Sequence, residues 1–349
     1  MIKYSLIFPG QGSQSIGMMD GLAHIPIIKK TFIEASEILG KDFWAMVTSE
    51  NDDINQTVNT QPLMLTAGYA TWLYLCEWAW NDSNPPSFVA GHSLGEITAL
   101  IATGALTFTD ALKVVKKRAE LMQNAVPENE GAMAAIIGLE DERVIEICKQ
   151  EQGDDVLEAV NFNSPGQVVI AGTKSTLEKS LQSFKGAGAK RAILLPVSVP
   201  SHCKLMQPAS ISFGEFLNKI DFGAPHIPII QNFDAVHHND LYKIINSLTV
   251  VKGNKFVKKG ASLEERAEAR TQLIDKTKQA LVNQLFNPVR WTETIKFMAS
   301  KGVGCFIEVG PGKVLTGLNR RIIERASHVS VSNEEAIREI SQFRRVPND

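Results

Sequence analysis

Residues 87–96 read SFVAGHSLGE, and this stretch decides the fold. A short apolar strand runs into a turn flanked by Gly91 and Gly95, and an apolar helix follows from Glu96. The turn matches G-x-S-x-G, in which a serine occupies a strained corner between a strand and a helix. Such a pentapeptide also occurs by chance, and a purely structural turn is the alternative. The strand and the helix on either side favour a nucleophile, Ser93, in an α/β protein.

Two further strands are predicted to leave the same sheet into glycine-rich loops. The apolar run 4–8 ends in PGQGSQ, and the run 305–309 ends in GPGK. Neither loop completes a nucleotide-binding motif, because the third glycine of G-x-G-x-x-G would fall at Ser15 and no Ser or Thr follows Lys313. Open α/β sheets bind ligands at the carboxyl ends of their strands. Both loops are therefore expected beside a site, where Gln11 would contribute hydrogen-bonding groups.

Further elements of this body follow from periodicity and capping. Helical periodicity covers 27–39, and Thr60 is expected to cap a helix that has Pro62 in its first turn. The helix that starts at Glu96 is expected to be long. Residues 227–232 are one more strand candidate.

The middle of the chain has a pattern of its own. Strand, helix, strand, strand, helix and strand are predicted in turn at 132–139, 141–152, 156–163, 167–172, 175–185 and 189–197. This βαββαβ order is typical of a ferredoxin-like fold. Because strand and helix patterns resume after it, we predict a subdomain at 129–198 that is inserted into a body formed by 1–128 and 199–349.

The composition excludes several classes of protein. The 349 residues include 36 Lys+Arg and 38 Asp+Glu, a net charge of −2, and 44% are hydrophobic. This balance does not indicate nucleic acid or a membrane surface as a partner, and the N-terminus lacks the long apolar region of a signal peptide. The four cysteines are isolated from one another, without metal-binding spacing. We expect a reduced, cytoplasmic protein without a metal site.

One arginine lies on the apolar side of a predicted helix. Over 111–122 the lysines and Glu120 cluster on one side, whereas Arg118 falls in the middle of the apolar stripe. A guanidinium cannot be buried without a partner, and its fork matches a carboxylate. Arg118 is therefore either one half of an internal salt bridge or the receptor for a carboxylated substrate.

A serine nucleophile needs a base that takes its proton, and the chain has seven histidines. His92 adjoins Ser93 and is expected to point elsewhere. His202 lies where the chain leaves the predicted subdomain, which makes it the candidate base, with a satisfied buried histidine as the alternative. No carboxylate lies at a telling distance in the sequence, so a backbone carbonyl is a candidate for the group that orients the imidazole.

A polar segment extends from about 237 to 278. Between 252 and 278 it has eight basic and four acidic residues. Charge runs are usually solvated, so we predict a solvated helical hairpin or loop here, with a surface for docking a partner as the alternative.

Four motifs occur in order along the chain, namely FPGQGSQ at 8–14, GHSLGE at 91–96, VSVPSH at 197–202 and EVGPGK at 308–313. Three more stretches accompany them, GAMAAIIGL at 131–139, NFNSPGQ at 161–167 and QLFNPV at 284–289. In these the chain closely resembles the bacterial malonyl-CoA:acyl carrier protein transacylase family, from the first strand to about Arg321. The resemblance implies a hydrolase-like α/β body with a parallel sheet and an inserted ferredoxin-like subdomain, with the site in the cleft between them.

The resemblance also implies roles for individual residues. Ser93 would carry the malonyl group as an ester, and His202 would activate it. The main-chain amides of Gln11 and Leu94 would form the oxyanion hole. The main-chain carbonyl of Gln284 would orient the histidine in place of a carboxylate.

By the same resemblance, Arg118 would hold the substrate carboxylate. Gln61 would line the pocket, and the alternative for Gln61 is a solvated position at the start of a helix. The implied reaction is ping-pong transfer of malonyl from malonyl-CoA to the phosphopantetheine thiol of holo acyl carrier protein, for fatty acid biosynthesis and without a cofactor. The residues themselves do not distinguish a fatty acid carrier protein from a polyketide carrier protein. A monomer is our default expectation. A serine hydrolase such as a thioesterase and a non-catalytic carrier-binding scaffold are the alternatives. The polar segment is longer than this family usually shows, and we expect it to loop outward without disturbing Gln284.

Overall fold

The computed structural model describes residues 2–79, 84–197, 199–247, 250–252, 255–258 and 260–344. Its central sheet has four strands that are all parallel. In spatial order these strands are Ser327–Ser330 (β10), Val303–Glu308 (β9), Lys3–Phe8 (β1) and Phe88–Gly91 (β2). The carboxyl ends of β9, β1 and β2 meet at one edge, which brings the loops after Glu308, Phe8 and Gly91 together.

Helices pack on both faces of this sheet. In chain order the helices of the protein are Pro26–Leu39 (α1), Phe43–Thr48 (α2), Thr57–Ala79 (α3), Gly95–Ala102 (α4), Phe108–Gln123 (α5), Asp141–Glu151 (α6), Lys174–Gly186 (α7), Gln207–Leu217 (α8), Asn239–Ile245 (α9), Leu263–Gln284 (α10), Trp291–Ser300 (α11), Val314–Ile322 (α12) and Glu334–Arg344 (α13). Short 3-10 helices cover Asp53–Asn55 and Lys204–Met206.

Strand β1 is buried on both faces because it lies in the interior of the sheet. Leu6 and Phe8 point into the larger core, to which α1, α3, α4, α5 and α8 contribute. Ile7 points the other way into a smaller core formed with α11 and α12. A parallel strand covered on both sides is apolar on both faces, which explains why Leu6, Ile7 and Phe8 follow one another in β1 without a polar residue between them.

A second sheet is antiparallel throughout. Its four strands, in spatial order, are Leu157–Ser164 (β4), Gln167–Thr173 (β5), Gly131–Ile137 (β3) and Arg191–Leu194 (β6). Helices α6 and α7 cover one face, where Val144 and Phe184 are fully buried. On the opposite face Met133 packs with Cys203 in a separate small cluster. The predicted strands and helices of the middle segment are all present, within a few residues of the expected bounds.

Backbone hydrogen bonds join the edge of this small sheet to the body, beside side-chain contacts such as that of His92 with Asn163, at 2.8 Å. The backbone amide of Phe162 donates to the Val289 carbonyl, at 3.0 Å, and the amide of Val289 donates to the Val160 carbonyl, at 2.8 Å. β4 thereby makes a parallel bridge, between Asn161 and Val289, with the segment between α10 and α11. The division into 1–128, 129–198 and 199–349 stays a prediction, and Ser198 and residues 345–349 lie outside the described part of the chain.

Three predictions for the body were wrong in detail. Helix α3 begins at Thr57, and the Thr60 hydroxyl, instead of capping the helix, donates to the carbonyls of Ile54 and Gln56. Helix α4 has only eight residues, because Gly104, at φ 72°, is in the turn that follows it.

The strand candidate 227–232 is the third. In the described structure it makes one parallel bridge, between Ile229 and Val89. Pro228 has no N–H to donate to a ladder, which limits pairing at this edge of the sheet.

The polar segment is helical in part and leaves the Gln284 carbonyl in contact with His202, as predicted, but the expectation that it loops outward as a whole was wrong. It contains α9, a two-stranded hairpin of Val250–Lys252 (β7) and Lys255–Lys258 (β8), and most of α10; residues 248, 249, 253, 254 and 259 lie outside the description. Ser262 and Glu265 form a capping box at the start of α10. Ala269 and Leu273 are buried, and the last residue of α10 is Gln284. The segment therefore builds the helix that positions Gln284.

Candidate active site

Ser93 occupies a strained corner between β2 and α4. Its φ is 53°, in the left-handed region that non-glycine residues rarely adopt. The corner is tight because a Cβ on Gly91 would lie 1.9 Å from the Gly95 carbonyl carbon, and a Cβ on Gly95 would lie 2.2 Å from the Phe8 carbonyl oxygen. Only glycine fits at these two positions. The Ser93 amide donates to Oδ1 of Asn232, at 2.7 Å, which holds the strained backbone.

His202 contacts Ser93 and a backbone carbonyl at the same time. Its Nε2 lies 2.8 Å from the Ser93 Oγ, and its Nδ1 lies 2.7 Å from the carbonyl oxygen of Gln284. A carbonyl only accepts, so Nδ1 carries the proton and Nε2 is free to accept one from the serine. The histidine backbone, at φ 68°, donates its amide to the Leu285 carbonyl. Burial, reinforced by the Arg118 cation, lowers the pKa of His202 to about 3, so the imidazole is neutral.

Arg118 lies on the buried face of α5, as predicted, and is 1% exposed. One terminal nitrogen donates to Oε1 of Gln61, at 2.7 Å. The other donates to Oε1 of Gln284, at 2.8 Å, and to the Ser93 Oγ, at 3.1 Å. Its Nε is buried without a partner, and burial lowers the pKa of the guanidinium to about 10.

The internal salt bridge considered from the sequence is not present among the described residues. No carboxylate oxygen there lies within 4.0 Å of the Arg118 guanidinium. Its acceptors are neutral amide and hydroxyl oxygens. A buried cation held by neutral groups remains able to bind a carboxylate that enters beside it.

Two backbone amides are available beside Ser93. Leu94 immediately precedes α4, and Gln11 lies in the loop after β1. Within the described structure neither backbone amide donates to a protein acceptor. The side chain of Gln11 reaches toward the hydroxyl of Thr57, at 3.5 Å. Amides at a helix start can stabilise a developing oxyanion.

These groups surround a cavity of about 210 Å³. The body contributes Gln11, Gln61, Ser93, Leu94, Arg118 and His202, and the second sheet and the chain after it contribute Met133, Asn161, Leu195 and Val197. Gln284 is fully buried and lies behind the cavity wall. All seven residues singled out from the sequence therefore lie in or directly behind one cavity.

Three residues of the site were missed from the sequence. Glu96 is 2% exposed and accepts from Nε2 of Gln284, at 2.8 Å, and from the amide of Asn232, at 3.1 Å. Burial raises the pKa of Glu96 to about 7. Its position in the first turn of an otherwise apolar helix was a usable signal, of the same kind that singled out Arg118.

Asn232 and Asn161 gave no such signal. Asn232 acts through its side chain, which accepts from Ser93 and donates to the Gly91 carbonyl, at 2.6 Å. Asn161 lines the cavity next to an irregularity in β4, and its Oδ1 is buried without a partner. Both contacts depend on tertiary packing.

The described residues contain neither a metal-binding cluster nor a helix that could span a membrane. No group of three or more His, Cys, Asp or Glu side chains is arranged to hold a metal ion. No described helix combines the length and apolarity needed to cross a bilayer.

Comparison with known proteins places this geometry in context. A sequence profile of the acyl transferase domain matches residues 5–345. The chain is 43% identical to the malonyl CoA-acyl carrier protein transacylase of Salmonella typhimurium, over 96% of the chain and 97% of that protein. It is 37% identical to the Bacillus subtilis protein of the same name, over 100% of the chain and 99% of that protein.

Solved structures agree with these sequence relatives. An acyl carrier protein S-malonyltransferase from Vibrio cholerae superposes with a TM-score of 0.82 at 43% identity, covering 97% of the chain and 99% of that structure. A malonyl-transacylase in complex with its type II PKS acyl-carrier protein superposes with a TM-score of 0.84 at 40% identity, covering 98% of the chain and 99% of that structure.

Proposed function

The chain belongs to the malonyl CoA-acyl carrier protein transacylases of the acyl transferase family, and from this premise we propose that Ser93 carries the malonyl group between the two substrates. The protein is an acyltransferase that moves malonyl from malonyl-CoA to acyl carrier protein for fatty acid synthesis. One observation carries the residue assignment: the Ser93 Oγ lies 2.8 Å from Nε2 of His202 and 3.1 Å from an Arg118 nitrogen. Nucleophile, base and carboxylate receptor thus meet at one atom.

In the first half-reaction Nε2 of His202 takes the Ser93 proton while Oγ bonds to the thioester carbonyl carbon. The negative charge that develops on the carbonyl oxygen is stabilised by the free amides of Gln11 and Leu94. The bond from carbon to sulfur then breaks, and CoA leaves with the proton that His202 returns. The backbone carbonyl of Gln284 holds the imidazole in the tautomer that this step needs.

The second half-reaction reverses the roles. His202 takes the proton of the phosphopantetheine thiol on holo acyl carrier protein, and the sulfur attacks the malonyl-Ser93 ester. The ester bond breaks, and His202 returns the proton to Oγ. The chemistry needs only these side chains and two thiols, so we propose that no separate cofactor takes part.

Arg118 would select malonyl over an acyl group without a carboxylate. Its two terminal nitrogens already have neutral acceptors, and its Nε has none. A malonyl carboxylate brings the opposite charge to a buried cation, whereas acetyl leaves that charge uncompensated. A hydrogen bond to a charged group contributes roughly 1.5–3 kcal/mol, which sets the scale of the discrimination.

The coarser fold is an α/β body with a parallel sheet and a second, antiparallel sheet. We propose the finer names hydrolase-like for the body and ferredoxin-like for 129–198, because a strand order of β6-β3-β5-β4 in a βαββαβ unit supports the latter. We also propose a monomer. A cytoplasmic location is our further proposal, supported by four cysteines that are all free thiols.

The serine hydrolase and the non-catalytic scaffold remain the competing functions for the test. None of the relatives described above has the name of a hydrolase. CoA release should be followed after malonyl-CoA is mixed with enzyme alone, then with holo acyl carrier protein. We expect a burst of one CoA per enzyme without the carrier, and parallel double-reciprocal plots with it. Continuous CoA release without the carrier would instead establish a hydrolase, and no release in either case would establish a scaffold.

A further inference from the structure

Glu96 is a buried carboxylate to which the mechanism above assigns no step. It lies in the first turn of α4, where a helix start favours negative charge, and it is 2% exposed. In the described structure its carboxylate makes no ion pair within 4.0 Å. It does not line the cavity. Whatever Glu96 does for the reaction must act through a neighbour.

That neighbour is the side-chain amide of Gln284, which lies between Glu96 and Arg118. Its Nε2 donates to Oε2 of Glu96, at 2.8 Å, and to the Ser93 carbonyl, at 3.0 Å. Its Oε1 accepts from the Arg118 guanidinium, at 2.8 Å. Oε2 of Glu96 also accepts from the amide of Asn232, so it faces Gln284 as an acceptor, which requires Nε2 on its side and leaves Oε1 for the arginine.

The reversed amide would fail at both ends. Its oxygen would face two acceptors, Glu96 and the Ser93 carbonyl, and its NH2 group would face the donors of Arg118. Glu96 thus acts together with the Ser93 carbonyl and Arg118 to set the orientation of the Gln284 amide. It also accepts from the amide of Asn232, whose side chain holds the strained backbone of Ser93.

We propose that Glu96 is a positioning residue for malonyl transfer, which orients the Gln284 amide so that Arg118 is held ready for the substrate carboxylate. This inference rests on the proposed function, because it assigns to Arg118 the binding of malonyl. Glu96 itself touches neither substrate nor the reacting atoms. Its loss should therefore weaken the recognition of malonyl more than the chemical step.

The first two variants separate the effect of side-chain length at position 96 from the effect of its negative charge. Glu96→Asp keeps the charge and withdraws the acceptor by one methylene group, whereas Glu96→Gln keeps an acceptor oxygen at full length and loses the charge. We expect Glu96→Asp to raise KM for malonyl-CoA by about ten-fold, with a similar fall in the malonyl-to-acetyl ratio of kcat/KM, because a hydrogen bond that orients a charged group is lost. Glu96→Gln should stay within about three-fold of the unchanged enzyme, since its oxygen can accept the same two bonds.

Glu308→Asp is the matched control. Glu308, the last residue of β9, is also a buried carboxylate. It accepts from the amides of Leu315 and Thr316 in the first turn of α12, and it does not line the cavity. This variant should lose stability without a change in the malonyl-to-acetyl ratio. The proposal is wrong if Glu96→Asp leaves the malonyl-to-acetyl ratio of kcat/KM unchanged, as Glu308→Asp should. It is also wrong if Glu96→Gln lowers this ratio as much as Glu96→Asp does.

A double-variant cycle tests the route through Gln284. If Glu96 acts through this amide, adding Glu96→Asp to Gln284→Met should cost little beyond Gln284→Met alone. The proposal would be contradicted if the fold-loss of kcat/KM in the double variant equalled the product of the fold-losses in the two single variants. All rates are to be normalised to the amount of malonyl-enzyme that each variant forms. An unchanged enzyme that forms none refutes the proposed function, whereas normal loading with unaltered selectivity in the Glu96 variants refutes only this inference.

Discussion

The carbonyl oxygen of Gln284 lies 2.7 Å from Nδ1 of His202, at the position that a carboxylate takes in a Ser-His-Asp triad. The imidazole consequently has no negative charge in direct contact. Its burial and the nearby Arg118 cation both disfavour the imidazolium form, and they lower its pKa to about 3. The base is thus neutral and ready well below the pH at which an ordinary histidine becomes protonated.

This shift predicts how the loading of Ser93 depends on pH. His202 stays neutral above about pH 3. The pKa of Arg118 is lowered to about 10, so its guanidinium stays charged below about pH 10. At saturating malonyl-CoA we expect the first-turnover rate of CoA release to be flat between about pH 5 and 8, because titration of Glu96, whose pKa is raised to about 7, bears on the recognition of malonyl and not on the base. Stopped-flow measurements, with circular dichroism as the check on folding, would show this. A rate that falls ten-fold per pH unit below about 6.5 would contradict a buried, neutral base.

Replacing Arg118 by alanine should change which acyl group is accepted. We expect kcat/KM for malonyl-CoA to fall by about 100-fold or more, because a charged fork for the carboxylate is lost, while acetyl-CoA is affected far less. Steady-state assays with both thioesters measure the ratio. Arg143→Ala is the control, since Arg143 pairs with Glu146 on the surface of α6, and it should change neither rate. Equal losses for both substrates would mean that Arg118 serves the fold only.

The glycines of the corner should tolerate no side chain. A Cβ on Gly95 would lie 2.2 Å from the backbone oxygen of Phe8, so Gly95→Ala should destabilise the protein by about 3 kcal/mol or more. Gly317 in α12 has open space where a Cβ would be built, and Gly317→Ala should stabilise it by roughly 0.5–1 kcal/mol. Urea unfolding measures both changes. Similar free energies of unfolding for the two variants would refute the close approach at Gly95.

The sequence was most informative where the structure is local. The corner at Ser93 could be predicted because its strand, its glycines and its helix are adjacent in the chain. The buried position of Arg118 followed from the 3.6-residue period of α5 alone. The βαββαβ order of the middle segment followed from alternating periods in the same way.

What the sequence left open depends on contacts between distant residues. His202 and Ser93 are 109 positions apart, so nothing local distinguished a base from a satisfied buried histidine. Asn232 was missed because an asparagine in a loop is ordinary until its partner, the Ser93 amide, is known. The start of α3 was misplaced because the Thr60 hydroxyl bonds to carbonyls that precede it instead of capping the helix.

The polar segment was misjudged for a related reason. Its composition is that of a solvated surface, yet a few small and apolar residues are enough to bury one side of α10 while the other side stays exposed. Leu273→Ala should therefore destabilise the protein by about 2–5 kcal/mol, as for a buried leucine in a packed core. Gln272→Ala, at the exposed neighbouring position, should stay within about 0.5 kcal/mol of the unchanged protein. Equal unfolding curves for both variants would restore the view of an outward loop.

The most direct test of the account is the intact mass of the protein after brief mixing with malonyl-CoA, before and after addition of holo acyl carrier protein. We expect one malonyl adduct, absent in Ser93→Ala, that moves to the carrier when the carrier is added. An adduct that also forms on Ser93→Ala, or that decays to free malonate instead of moving to the carrier, would contradict it.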